Sequence, residues 1–272
     1  MDASRTTDLL EETLRATIDV GRGLSDEEWE TPTDCPAWTA KDHVSHIIGT
    51  ERMLQGLPAA DVAAASAGAW PHVKNPIGEF NEREVELRRS RSGSEVLAEL
   101  EELVELRVET LRNADDAYFA QDAMTPTCPG TMLDFLSIRI LDCWVHEQDI
   151  RRAVDRPGHL DGGPAEHTTD RLLRTIPIVV GKRAAAPEAS VTLMRLTGPV
   201  ERTVPVVVEG GRAKVVDPNS AGPPDVTVTM DSETFLVLAV GRQTAAERSD
   251  RIEISGEGDW GQAVVEQLNM MI

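Results

Sequence analysis

Residues 131–153, TMLDFLSIRILDCWVHEQDIRRA, constrain the possible folds of this chain more than any other stretch. Thr131 and Asp134 stand three apart, the spacing of a capping box, in which a hydroxyl and a carboxylate each satisfy a backbone N–H left free in the first helical turn. From Leu133 to Val145 most positions are apolar: Leu133, Phe135, Leu136, Ile138, Ile140, Leu141, Cys143, Trp144 and Val145. A helix apolar on all sides belongs inside a fold. Yet Arg139, Asp142, His146 and Asp149 recur every three or four residues, which gathers them on one stripe. Burying a carboxylate or an imidazole without a partner is costly. The surrounding fold must therefore bring something to that stripe, either a metal ion or a closed network of hydrogen-bonded polar groups.

Three further long helices are expected upstream. Leu10, Leu14 and Ile18 carry the helical period over about Thr7 to Val20. In TPTDCPAWTAKDHVSHIIGTERML the two prolines hold the lead-in extended, and Thr39 with Asp42 forms a second capping box. Ser92 and Glu95 cap a third helix, whose Leu97, Leu100, Val104, Val108 and Leu111 make an apolar stripe. The Glu and Arg residues of that helix are expected on its solvated face. The segment from about Gly56 to Ser90 reads as a long connection with one short helix. Four long helices so joined predict a four-helix bundle. The lead-ins TPTDCPAWT and TPTCPGT are alike, which reflects either a faint internal repeat or shared cap chemistry.

After Pro157-Gly158 the pattern changes. A helix is expected from Glu166 to about Lys182, broken or kinked at Pro177. Beyond Pro187, SVTLMRLTG, RTVPVVVEGGRAKVVD and DVTVTMD alternate and are rich in β-branched residues, with Gly210-Gly211 as a hairpin turn. SETFLVLAVGR predicts a helix capped by Ser232 or Asp231, RIEISGE a strand, and DWGQAVVEQLN a closing helix. The fold class is therefore α+β with two domains. Residues 1–160 form a helical bundle, and residues 161–272 form a smaller domain with an antiparallel sheet.

At 272 residues, two domains of ordinary size are accommodated. Against 47 acidic residues there are only 27 basic ones, a net charge of −20, which argues against nucleic acid or an anionic membrane surface as partner. Cys35, Cys128 and Cys143 form no CxxC pair and read as reduced thiols. With no signal-like leader and no long apolar run, the sequence predicts a cytoplasmic protein, monomeric or homodimeric.

Asp142 and His146 lie one helical turn apart, about 6 Å along the axis. An oxygen and a nitrogen so placed can share one divalent ion, with a third donor from another helix. His43 and His46 are the candidates, and a helical wheel puts His43 nearer the apolar face of Val44, Ile47 and Ile48. Two histidines and one carboxylate would leave a coordination position open, as in catalytic zinc sites. HEQDI is not the HExxH protease motif, because Ile150 stands at its fifth position. Cys35 and Cys128, each before a proline, read as small residues at tight turns and not as nucleophiles. Trp38 reads as a packing anchor, and His72, His159 and His167 are given no role.

TPTDCPAWTAKDHVSH and LDCWVHEQDIRRAVDRPG resemble two motifs of the mycothiol-dependent maleylpyruvate isomerase-like family, part of the DinB-like group of helical bundles. The C-terminal half, RIEISGEGDWGQAVVEQLN above all, is similar to that family's second domain, which has a sterol-carrier-protein-like fold. The resemblance implies a divalent metal, zinc in the first instance, held by His46, Asp142 and His146, and so favours His46 over His43. Asp142 departs from the glutamate usual there. Asp149 and Arg152 also match family positions, with Asp149 expected to orient a metal ligand and Arg139 as a further candidate. The cofactor implied is mycothiol, whose thiolate adds to an activated double bond, lets the adduct rotate and then leaves. Transfer of the thiol to other small electrophiles is the related possibility. The family also uses an arginine from the second domain, for which Arg195, Arg202 and Arg212 are available. The rival readings are a carrier for a small hydrophobic ligand, and a metal-bound regulatory bundle without catalysis.

Overall fold

A computed structural model of the chain describes residues 1–58 and 70–270. They form two compact units, Met1–His159 and Leu160–Ile272.

In the first unit the elements are α1 (Ala3–Arg22), α2 (Asp26–Trp29), α3 (Ala40–Leu54), α4 (Pro76–Glu86), α5 (Gly93–Asn113), α6 (Asp116–Ala120), a short hairpin β1 (Asp122–Met124) and β2 (Pro129–Thr131), and α7 (Met132–Ala153). Helix α1 packs against α5 and α7, and α3 packs against the same two, which is a four-helix bundle with α4 laid beside α3. The cap chemistry sets where these helices begin. The Asp42 carboxylate accepts from the Thr39 N–H at 2.9 Å. At α5, Ser92 N–H donates to Glu95 Oε2 at 2.8 Å and Glu95 N–H to Ser92 Oγ at 3.3 Å. At α7 the corresponding Thr131 and Asp134 bonds are 2.9 and 3.1 Å. Leu10, Leu14, Ile47, Ile48, Leu100, Val104, Leu136 and Ile140 fill the core.

The connection from Gly56 to Ser90 contains a short helix, as expected: α4, started by Asn75 and with Pro76 in its first turn, where a missing N–H costs nothing; residues 59–69 of that connection lie outside the described residues. One expectation changes, in that not all charges of α5 face solvent. Arg107 is fully buried, because it sits on the same stripe as Leu100, Val104 and Leu111 and meets Glu51 of α3.

The last turns of the unit are held by His159. Its Nδ1 lies 2.8 Å from Glu147 Oε2 and its Nε2 3.4 Å from Glu12 Oε1, while Arg151 Nε donates to Glu147 Oε1 at 2.7 Å. Burial opposes the charged ring, but the Glu147 and Glu12 carboxylates outweigh it and raise the His159 pKa. A pKa raised on folding contributes stability that is fully present below the unfolded value, about 6.5, and is lost as pH rises through the folded value. The melting-temperature advantage of wild type over His159→Gln is therefore expected to be largest below pH about 6.5 and to shrink above it. Parallel melts of the two proteins across that range provide the check, and a gap independent of pH would contradict the assignment.

In the second unit, α8 (Gly162–Leu173) is followed by a one-turn α9 (Ile176–Ile178) containing Pro177 and by a π-helical turn at Val179–Arg183. Pro177 interrupts the helix as its missing N–H and ring demand. Strands β3 (Val191–Thr197), β4 (Arg202–Glu209), β5 (Arg212–Val215), β6 (Val226–Asp231) and β7 (Ile252–Gly256) make one sheet of order β5-β4-β3-β6-β7. Gly210 and Gly211 both have positive φ, 60° and 72°, the backbone a tight β4–β5 hairpin requires. The sheet is mixed, because β3 and β6 are parallel while the other neighbours are antiparallel. The chain leaves β5 running in the direction of β3, and residues 216–225 return it to the starting end before β6 pairs with the free edge of β3. Helices α10 (Ser232–Ala239), capped by Asp231, and α11 (Gly261–Glu266) close the unit, and Met194, Val206, Val228, Phe235 and Val264 lie in its interior.

Candidate metal centre

Helix α3 presents His43, His46 and Glu51 toward α7, which presents Arg139, Asp142, His146 and Asp149. The apolar residues that bury both helices carry these polar side chains inward with them. His46 Nε2 lies 3.0 Å from Asp142 Oδ2, and His146 Nε2 lies 3.6 Å from Asp142 Oδ1. One donor atom from each of the three residues falls within 4.8 Å of the others. A tetrahedral ion with bonds of about 2.0–2.1 Å holds its ligands about 3.3 Å apart, so this donor set fits a divalent ion of the zinc type. The shorter arm of Asp142, compared with glutamate, still spans the gap. Asp142 is the partly exposed member of the three, so an ion held here would be reached from its side.

His43 also lies in this cluster, but its ring meets the far side of His146. The two Nδ1 atoms are 2.8 Å apart, and Asp149 Oδ2 is 3.3 Å from His146 Nδ1. His43, His146 and Asp149 thus form a second overlapping group of possible donors. Arg152 donates to Asp149 Oδ1 and, at 3.0 Å, to Asp34 Oδ2, which fixes the carboxylate behind His146. Burial pushes the His46 pKa down, leaving a neutral ring with a lone pair to offer. At His146 burial acts the same way but the Asp142 and Asp149 carboxylates outweigh it and raise the pKa. Asp142 is held well below the usual carboxylate range: burial opposes this, and Arg139, His46 and His146 overcome it.

Several participants had not been singled out in the sequence. Trp38, expected only to pack, lies across three imidazoles, with centroid distances of 5.3 Å to His43, 5.3 Å to His46 and 5.7 Å to His146. Its Nε1 donates to the buried Glu82 of α4 at 2.8 Å. Glu51 accepts from Arg139 Nε at 2.8 Å and from Arg107 Nε at 2.9 Å, and Arg139 also reaches Asp142 and the buried Cys143 thiol. The readable signal was a charged residue on the apolar stripe of each of three helices: Glu51, Arg107 and Arg139. Cys35 is half-buried and Cys128 exposed, and neither forms a disulfide. In the second unit, Arg195 and Arg212 are exposed, and Arg202 is paired with Asp170 at 2.6 Å.

A four-helix bundle with two histidines and a carboxylate converging between helices, followed in the chain by a small α+β domain, defines a class of two-domain proteins. The chain belongs to the family described as mycothiol maleylpyruvate isomerase N-terminal domain, whose family model matches residues 10–151. Residues 171–268 match the SCP-2 sterol transfer family. Among solved structures, the chain is similar to the mycothiol-dependent maleylpyruvate isomerase and to a histidine-to-alanine variant of it. The TM-scores are 0.59 and 0.60, each with 15% sequence identity over 94% of this chain and 93% of the other. At that identity the likeness establishes the shared two-domain fold. No curated protein matches the chain.

Proposed function

We propose that this protein is a metal-dependent enzyme that uses mycothiol to isomerise a small electrophile such as maleylpyruvate, or to transfer the thiol to one. The observation that carries this reading is the approach of His46 Nε2, Asp142 and His146 Nε2 to one another at ligand spacing, inside a bundle of the isomerase family. Bound at these donors, a divalent ion would lower the pKa of a coordinated thiol or water and supply a nucleophile near neutral pH. The chain's own residues prepare that position. His46 presents a neutral ring, and Arg139 keeps Asp142 ionised while Glu51 holds Arg139 in place. Trp38 covers the three imidazoles on one side and keeps water from that face. The open side at Asp142 is where thiol and electrophile would enter.

The test is metal content of the untagged protein beside His146→Ala, together with isomerisation of maleylpyruvate with and without mycothiol. About one equivalent of zinc in wild type, lost in the variant, with thiol-dependent turnover, is the expected result. Wild type that fails to take up added zinc would overturn the reading. The match of residues 171–268 to sterol transfer proteins favours a second reading, a carrier of a small apolar ligand. A carrier would copurify with such a ligand and keep it in the presence of a chelator.

A further inference from the structure

A chain of polar contacts runs from Thr33 through His43 to the far side of His146. Three polar contacts converge on the Thr33 hydroxyl oxygen. Cys35 N–H donates to it at 3.1 Å, the Trp38 carbonyl lies 3.0 Å away, and His43 Nε2 lies 2.8 Å away. A carbonyl oxygen only accepts, so the single hydroxyl proton of Thr33 is committed to Trp38. A contact of 2.8 Å between the hydroxyl oxygen and His43 Nε2 then needs a proton from the ring, which makes His43 the Nε2–H tautomer. A neutral imidazole carries one N–H, so His43 Nδ1 is a bare acceptor. The 2.8 Å contact between the two Nδ1 atoms must in turn be filled from the other side, by His146 Nδ1–H. Asp149 Oδ2, at 3.3 Å, accepts a share of the same proton. His146 is left with a bare Nε2 whose lone pair faces Asp142 Oδ1.

We propose that Thr33 and His43 are positioning residues that fix the tautomer and ring plane of His146, so that its Nε2 is presented as an acceptor toward His46 and Asp142. His46 is held differently: its Nε2 lies 3.0 Å from Asp142 Oδ2, while its buried Nδ1 has no hydrogen-bond partner among the described residues. Histidines that bind metals are oriented by the group on their other nitrogen, and here that group is a neutral histidine relaying the preference of a threonine. The consequence for metal binding rests on the reading of the centre given above, but the tautomer assignment does not.

The experiment uses the full chain, metal-free, labelled with ¹⁵N in histidine, at a pH where the rings are neutral. Long-range ¹H–¹⁵N correlation reads the tautomer of each ring directly. Wild type and Thr33→Ser are expected to show His43 as Nε2–H and His146 as Nδ1–H. Thr33→Val, which keeps the shape and loses the hydroxyl, is expected to mix the His43 tautomers and to lower zinc affinity by about tenfold in chelator competition, with Thr33→Ser restoring it. His146 protonated at Nε2 in metal-free wild type would overturn the proposal. So would a Thr33→Val protein with wild-type tautomers and wild-type zinc affinity. Wild-type protein that shows the assigned tautomers yet binds no zinc supports the relay and defeats only the metal reading. Because the wild-type spectrum alone decides the assignment, a variant that fails to fold leaves the test intact.

Discussion

Glu51→Ala is expected to lower the stability of the helical bundle by about 3–5 kcal/mol, the range for removing one partner of a buried ion pair. The reason is that Glu51 is fully buried and serves two guanidinium groups at once, Arg107 on α5 and Arg139 on α7. Burial alone would raise its pKa, and the two arginines reverse that and lower it. Removing the carboxylate leaves Arg107, itself fully buried and already with one terminal nitrogen lacking a hydrogen-bond partner among the described residues, with Tyr118 at 3.1 Å and Gln55 at 3.5 Å. For a unit of this size the loss corresponds to a fall of about 6–20 °C in melting temperature. The measurement is thermal or urea unfolding in chelator, so that any metal contribution is removed. Glu51→Gln is expected to fall between, since it keeps a hydrogen-bond acceptor and loses the charge. Adding Arg107→Met to Glu51→Gln should recover part of the loss, because one stranded cation is then gone. A Glu51→Ala protein within 1 kcal/mol of wild type would show that water or backbone groups replace the carboxylate, contrary to what the packing implies.

The same network marks the limit of what the amino-acid sequence could reveal. The capping boxes at Thr39, Ser92 and Thr131 were legible because they depend on residues three apart, and a local rule suffices. The four long helices followed from them and from apolar periodicity. The stripe on α7 was equally local, so Arg139, Asp142, His146 and Asp149 could be placed together before any fold was known. What periodicity could not supply was the partner across the bundle. Whether His43 or His46 faces Asp142 depends on the rotation of α3 against α7, and a wheel drawn on α3 alone reports only which residues are buried. Both histidines are buried. They differ in which nitrogen of His146 they approach, and that is a tertiary fact. Arg107 was misplaced for a related reason: a long side chain on an apolar stripe was read by its charge and not by its position, although position decides burial when a carboxylate waits on the neighbouring helix. The parallel pairing of β3 with β6 was hidden because alternation reports which face is buried and says nothing of strand direction.

Asp142→Asn should separate the metal reading from a purely structural polar network, and it is the second large effect expected. In wild type, zinc at about one hundred times its dissociation constant would stabilise the folded state by about 2.7 kcal/mol. That is a rise of about 5–10 °C in the melting temperature of a unit this size. The amide keeps the volume of Asp142 and its contact with Arg139 but offers no negative donor to an ion flanked by two imidazoles. Outer groups around metal ligands already account for about 10–100-fold in affinity, so loss of the charged donor itself should exceed that, and the zinc-dependent shift should vanish at the same zinc concentration. In a structural network the pattern would be the opposite. Added zinc would leave wild type unmoved, and Asp142→Asn would be less stable in chelator, because Arg139 and His46 both bond that one carboxylate. Melting wild type and variant with zinc and with chelator therefore gives four temperatures whose pattern differs between the two cases. The metal reading requires the wild-type pair to separate and the variant pair to coincide.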